Sequence, residues 1–317
     1  VFKGVSGRIR SADIAFANLE SPIAPDHHKR IHGEVFNAPA SLAGGLAEAG
    51  FDVLSMANNH VWDQGADGML ETRTRVLDAG MQPVGVGSSC DQAAAPVIVE
   101  ANGVRVGFIA LADLLNLDAS DETACVFVPG ELCQTDCLPD RDALYFPIRV
   151  DRVHAAIARA AEQADVVVVS AHWQTEYHTD PLPEYPVLAR GFIDAGAHVV
   201  LGHHPHVLQP IEAYGDGVIA YSLGNFVSDM GRRYEPSTAA VRRGDTRDGL
   251  MLELDIRVRG EEVRVLPIPH PTWVHNAESI TVLPQSELPE ALRTLRAARV
   301  QEVLGMDGPI AGDHPSR

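Results

Sequence analysis

The run DVVVVS at Asp165–Ser170 constrains the fold more than any other stretch of the chain. Consecutive β-branched residues without polar alternation describe a strand buried on both faces, and such strands belong to sheets covered by helices. Much of the chain follows the same grammar. Asp13–Leu19 reads as a strand. Leu42–Ala49 reads as a short helix closed by Gly50, Asp52–Ala57 as a buried strand, and Gly65–Ala79 as an amphipathic helix closed by Gly80. Pro83–Gly87 is strand-like, and Val97–Leu111 reads as a hairpin turning at Asn102-Gly103. Further on, the pattern predicts a helix at Val153–Ala164, a helix at Leu188–Asp194, and short strands at His198–Leu201 and Val218–Ser222. A two-stranded ribbon at Leu250–Leu266, turning at Gly260-Glu261, precedes a helix at Leu288–Val303. Alternation of this kind predicts an α/β architecture, and 317 residues suffice for one large domain or two smaller ones.

Charge narrows the function. A formal net charge of −18 argues against duplex nucleic acid, whose phosphates need a basic footprint. It leaves room for an anionic small molecule or polymer, because a metal and a few arginines reverse the potential locally. No apolar run reaches the roughly 18 to 20 residues of a membrane helix. The opening VFKGVSGRIR lacks the apolar stretch of an export signal, yet it enters the first strand abruptly, as a chain trimmed upstream would. Cytoplasmic and cell-envelope locations both stay open, with membrane contact only through an upstream anchor. Of Cys90, Cys125, Cys133 and Cys137, the last three share one loop at spacings that match no zinc motif. A Cys125–Cys133 or Cys125–Cys137 disulfide is one option, and reduced loop cysteines are the preferred reading. The irregular, acidic stretch from Asp113 to about Pro147 is long enough for a lid or a partner contact.

The chemistry gathers at strand ends. Four predicted strands finish in metal-binding or proton-moving residues: Asn18-Leu19-Glu20, Asn58-Asn59-His60, Ala171-His172-Trp173, and Gly202-His203-His204-Pro205-His206. Sites in open α/β sheets form beyond the carboxyl ends of strands, so four such endings can converge. Imidazole, carboxylate and amide oxygen together suit manganese, iron or zinc as divalent ions. Two such ions about 3.5–4 Å apart clamp an anionic transition state and bring bound water to a pKa near about 7. Taken singly, each residue has a plainer explanation: a core histidine, a turn asparagine, a solvated loop carboxylate. The combination, with GHHPH packing three histidines together, is what the plain explanations fail to cover.

The stretches ADIAFANLESPI (12–23), FDVLSMANNHVWDQG (51–65), SAHWQTEY (170–177), GHHPHVLQPIE (202–212) and IAYSLGNFV (219–227) resemble the CapA family of bacterial capsule (poly-γ-glutamate) synthesis proteins. That family is itself similar to calcineurin-like metallophosphoesterases. The resemblance runs from about residue 11 to about residue 230. It implies a layered β-sandwich flanked by helices, α/β/β/α, over residues 1–270, with residues 271–317 as a helix and tail on the same domain. It also implies a centre of two divalent metal ions, manganese, iron or zinc. Carried over residue by residue, it makes Glu20, Asn59, His172, His204 and His206 metal ligands. His60 resembles the histidine that protonates the leaving group, and Asp63 would hold that imidazole by a hydrogen bond, as suits a general acid. Asn18, Glu176, His203 and Asn225 would support the ligands from behind.

Two departures stand out. The family opens with a strand ending in Gly-Asp, whose Asp is a ligand, and no such strand precedes Ala12; residues missing upstream are the favoured explanation, the alternative being a site without that carboxylate that holds one metal or none. Gln174 stands where the family commonly has Gly, and is expected to narrow the site mouth. Two basic loops are candidates for receiving a carboxylate or phosphate. One carries His27, His28, Lys29, Arg30 and His32; the other carries Arg232, Arg233, Arg242, Arg243 and Arg247, with Arg232 and Arg233 the chosen substrate contacts. Three functions follow: a phosphoester hydrolase, a hydrolase of a γ-glutamyl-type amide, or a non-catalytic component of capsule synthesis or export with partners there.

Overall fold

The structure, a computed structural model, describes residues 1–27, 35–116, 125–126, 144–145, 149–231, 234, 240–276 and 279–305. The chain divides into two compact units: an N-terminal unit of residues 12–173 with 194–197, and a C-terminal unit of residues 1–11, 174–193 and 198–317. Each is a mixture of sheet and helix, as the alternation predicts.

In the N-terminal unit, Phe16–Asn18, Val53–Ser55 and Gln82–Val84 form a parallel sheet with Val53–Ser55 in the middle. Parallel neighbours need crossovers, and the helices Ser41–Ala49 and Gly65–Asp78 supply them. A second sheet contains Val97–Ala101, Val104–Ala112 and Val166–His172. The first two form the expected hairpin, with Asn102 and Gly103 at φ 53° and 79°, the left-handed pair that a tight turn demands. Val166–His172 pairs in parallel with Val106–Ala112 and is buried throughout, as the valine run requires. Helix Val150–Ala161 feeds it and buries Val153, Ala156, Ile157 and Ala160, one face at helical spacing.

The two sheets of this unit meet face to face, with Phe16 stacked on Phe108 at 5.6 Å between ring centroids. The strand expected at Pro83–Gly87 is broken at Gly85, giving Gln82–Val84 and Val86–Gly87. Gly85 has φ +88°, and a Cβ there would stand 2.6 Å from Ala57 Cβ and 2.9 Å from Ala110 Cβ. Only glycine lets the chain turn through so narrow a gap.

The C-terminal unit pairs Val199–His203 with Gly217–Ala220 in parallel, and Ile211–Tyr214 runs antiparallel beside the latter. Its second sheet is the ribbon, longer than its apolar pattern suggests. Asp248–Arg259 pairs with Glu262–Asn276 around Gly260, and Ile280–Pro284 adds a third strand. Helix Glu290–Leu304 seals one core with Val300 and Leu304 against Leu208 and Leu250. The basic opening stretch holds a short helix, Ser6–Ser11, where no element was expected; Arg8 reaches Glu253 on the ribbon at 3.3 Å.

Cys90, for which the sequence suggested no pairing, is disulfide-bonded. Cys133, Cys137 and most of the 113–147 loop lie outside the described residues.

Candidate metal centre

In the N-terminal unit the ends of three strands bring their polar residues together. Leu19 N–H donates to Ser55 O at 2.8 Å, which carries the Phe16–Asn18 strand past its last sheet pair and delivers Glu20. Asn58 acts as a clasp: its Nδ2 donates to Leu19 O at 2.8 Å and Asn18 Oδ1 at 3.3 Å, and its Oδ1 accepts from His60 N–H at 3.2 Å. Asn18 Nδ2 in turn donates to Glu20 Oε2 at 3.2 Å. Held this way, Asn59 Oδ1 lies 2.8 Å and Glu20 Oε1 3.6 Å from His172 Nε2.

Those separations test the fit of a metal. Ligand atoms about 2.0–2.2 Å from one ion stand about 3–3.5 Å apart around it. Carboxylate oxygen, amide oxygen and imidazole nitrogen at 2.8 and 3.6 Å from a common member match that spacing. Their chemistry suits a mid-series divalent ion. Glu20, Asn59 and His172 therefore fit the role that the sequence implies for them.

His60 is the second feature of this unit. Its Nδ1 donates to Asp63 Oδ2 at 2.8 Å, and both side chains are buried. Asp63 Oδ2 also accepts from Phe36 N–H at 2.6 Å, and the Phe36 ring lies on the imidazole at 3.9 Å between centroids. The ring is thus fixed in plane and in tautomer, leaving Nε2 as its working end, 3.4 Å from Asn116 Nδ2. Sequence reasoning found the His60–Asp63 pair and missed Phe36 and Asn116. Neither carries a motif signal, since one lies in a loop and the other follows a two-residue strand.

In the C-terminal unit the candidates sit on strained backbone. Among the described residues the non-glycine positions with positive φ are Asn102, Gln174, Tyr177, His204 and His206. Asn102 belongs to the hairpin; the rest lie in 174–177 and 204–206, and such strain is typical of functional sites. Tyr177 N–H donates to Pro205 O at 2.8 Å, and Gln209 Nε2 donates to His178 O at 2.8 Å, so the two segments lock each other. His206 Nδ1 lies 2.9 Å from Asn225 Oδ1, and its Nε2 lies 3.9 Å from Glu176 Oε1. The His204 and His206 rings are 5.9 Å apart. Desolvation pulls the His203 imidazole down to about 4, so it is neutral at neutral pH.

Three sequence expectations are corrected here. Gln174 does not narrow a site mouth: it is fully buried, its Nε2 donating to Gln209 Oε1 at 3.0 Å. Arg247 is no substrate contact, because it is buried with its guanidinium 4.4 Å above the Trp273 ring and its Nε donating to Val274 O at 2.7 Å. His27 is bound to Glu71 at 2.7 Å. Arg242 and Arg243 are exposed, whereas Arg232, Arg233, His28, Lys29, Arg30 and His32 lie outside the described residues. No helix among the described residues is long and apolar enough to cross a membrane.

Comparison with known proteins accounts for this collection of motifs. The family described as bacterial capsule synthesis protein PGA_cap matches residues 1–230, and the chain belongs to it. It is 34% identical over 246 residues to the capsule biosynthesis protein CapA of Bacillus anthracis, covering 76% of this chain and 57% of that one. Against the PGA biosynthesis protein CapA of Bacillus subtilis it is 34% identical over 248 residues, covering 76% and 60%. The chain therefore spans a little under two thirds of these relatives. Among solved structures, a putative 5'-nucleotidase from Staphylococcus aureus aligns at TM-score 0.44 and 13% identity, covering 83% of this chain and 44% of that one, a likeness too slight to carry an argument.

Proposed function

We propose that this chain is a metal-dependent hydrolase acting on a phosphoester or a γ-glutamyl-type amide of an anionic substrate. The observation that carries the reading is the pairing, within one unit, of a fitting donor set with a fixed imidazole: Glu20, Asn59 and His172 beside the Asp63-held His60. His204 and His206 are the ligands we assign on the C-terminal unit, from the motif alone. Divalent ions bound there supply activated water at neutral pH and neutralise charge that develops in the transition state.

The residues of the chain do the rest. His60 in its imidazolium form, with Nδ1–H held by Asp63, presents Nε2–H to a leaving group and hands it that proton, returning to the neutral Nδ1–H tautomer. Phe36 covers one face of that imidazole and keeps bulk water from it. Glu176 stands 3.9 Å from His206 Nε2, where it would support the ligand or orient a substrate group. Arg232 and Arg233 remain our choice for binding the substrate anion.

Membership of a capsule synthesis family favours one further reading, a non-catalytic component with partners in polymer synthesis or export. His60→Ala separates the two. The hydrolase loses turnover by about 100-fold or more while holding its metal, measured on p-nitrophenyl phosphate, bis-p-nitrophenyl phosphate and γ-glutamyl peptides. Absence of turnover by the unsubstituted protein on all of them favours the assembly role.

A further inference from the structure

The C-terminal unit holds a chain of contacts that starts at a candidate ligand and ends on the last helix, outside the stretch matched by the family. Asn225 is buried, and its amide orientation is fixed by its neighbours. Nδ2 donates to two carbonyls, Thr246 O at 2.9 Å and His206 O at 3.2 Å. A carbonyl only accepts, so the nitrogen end must face these two and Oδ1 must face His206 Nδ1. Oδ1 only accepts as well, so His206 carries its proton on Nδ1 and keeps the Nε2 lone pair for an ion. One amide therefore sets both the tautomer and the direction of the imidazole.

What holds the amide is the segment 245–249. Asn225 N–H donates to Asp248 O at 3.3 Å, and a Cβ at Gly249 would stand 2.1 Å from Asn225 O, so the backbones touch. The residues flanking the Thr246 carbonyl are fastened to helix Glu290–Leu304. Asp245 accepts from Arg296 at 2.7 Å and from Arg299 at 2.9 Å. Asp248 accepts from Arg296 and, at 2.9 Å, from Gln285 Nε2. Burial alone would lower the Arg296 guanidinium, but Asp248 and Asp245 outweigh it and hold it above its ordinary value. Burial pushes the Asp248 carboxyl up against the pull of Arg296.

We propose that Asn225 is the positioning residue for His206, and that the buried Arg296–Arg299 cluster on the last helix sets the metal affinity of His206 through it. The inference rests on His206 being a metal ligand, as assigned above. Partners of this kind behind a ligand are worth about 10–100-fold in metal affinity.

The test measures the affinity of the purified protein for Zn²⁺ alone by competition with a chromophoric chelator. Folding is followed separately by thermal unfolding. Asn225→Ala is expected to weaken binding about 10–100-fold while the protein stays folded. Arg299→Met, chosen because Asp245 keeps Arg296, is expected to weaken binding about 3–10-fold in the native background and not at all on top of Asn225→Ala. Equal effects of Arg299→Met in both backgrounds, or unchanged affinity in Asn225→Ala, would overturn the proposal. His206→Ala separates this failure from that of the underlying reading. If that variant binds Zn²⁺ like the unsubstituted protein, His206 is no ligand and the assignment itself falls.

Discussion

The two sets of candidate ligands are held by different physics. In the N-terminal unit Glu20, Asn59 and His172 emerge from regular strand ends, and side-chain amides do the fastening, chiefly Asn58 and Asn18. Among the described residues, none of these three candidate ligands has positive φ; the nearest non-glycine residue that does is Gln174, two residues beyond His172. In the C-terminal unit His204 and His206 sit at φ 96° and 56°, and a backbone bond from Tyr177 N–H to Pro205 O ties the two strained segments together. Amide-held ligands depend on one or two removable hydrogen bonds. The His206 ring is likewise aimed by the Asn225 amide. The strained backbone at His204 and His206 depends instead on the whole unit staying folded, because strained conformations persist only where their surroundings over-determine them. The buried Arg296 and Arg299 cluster is part of what does so.

That contrast can be broken by substitution. Arg296→Met leaves Asp245 and Asp248 short of their main partner in the interior, and is expected to cost about 3–5 kcal/mol, read from chemical unfolding. Retained stability would mean that the cluster does not brace the strained segments. Asn58→Ala removes the clasp on Leu19 and Asn18, costing about 1–3 kcal/mol and loosening Glu20 and Asn59 enough to weaken Zn²⁺ binding. Gln174→Gly should cost less than Asn58→Ala. It loses the bond to Gln209 but relieves a left-handed backbone worth about 1 kcal/mol. If Gln174→Gly proves the more damaging of the two, the distinction between amide-held and strain-held ligands fails.

Smaller effects sharpen the picture of each unit. With Cys90 in a disulfide, the denatured, unreduced protein should titrate no more than 2 of its 4 cysteines. All of them reacting would remove that bond from the account. Hydrogen bonds from Arg105 hold the half-buried Asp165 carboxyl down at about 2. The sign follows from linkage: the folded state binds this proton less readily than the unfolded state, whose carboxyl titrates near about 3.9. The contribution is present above pH of about 4 and fades as pH falls towards about 2. Arg105→Ala should flatten the stability profile slightly in that window and leave neutral pH almost unchanged.

Much of the fold was legible in the sequence because its signals are local. The valine run, the Asn102-Gly103 turn and the glycine helix ends each depend on neighbouring residues alone. What escaped depends on distant partners. The ribbon reaches Asp248 and Asn276 because a third strand, Ile280–Pro284, extends the pairing, and no periodicity marks that edge. Arg296 and Arg299 look like surface cations on an amphipathic helix, and only Asp245 and Asp248, some fifty residues earlier, explain their burial. The candidate site divides in the same way. Its candidate ligands were visible as motifs at strand ends. The asparagine clasp, the Phe36 cover and the tautomer-setting role of Asn225 came only from three-dimensional geometry.

The central claim is that these strand ends hold divalent metal, and elemental analysis tests it most directly. Protein purified without chelators or affinity-tag metals should carry about two equivalents of manganese, iron or zinc, and His172→Ala should lose most of it. A metal content near zero that persists after incubation with each ion would contradict the account and favour a non-catalytic role in capsule synthesis.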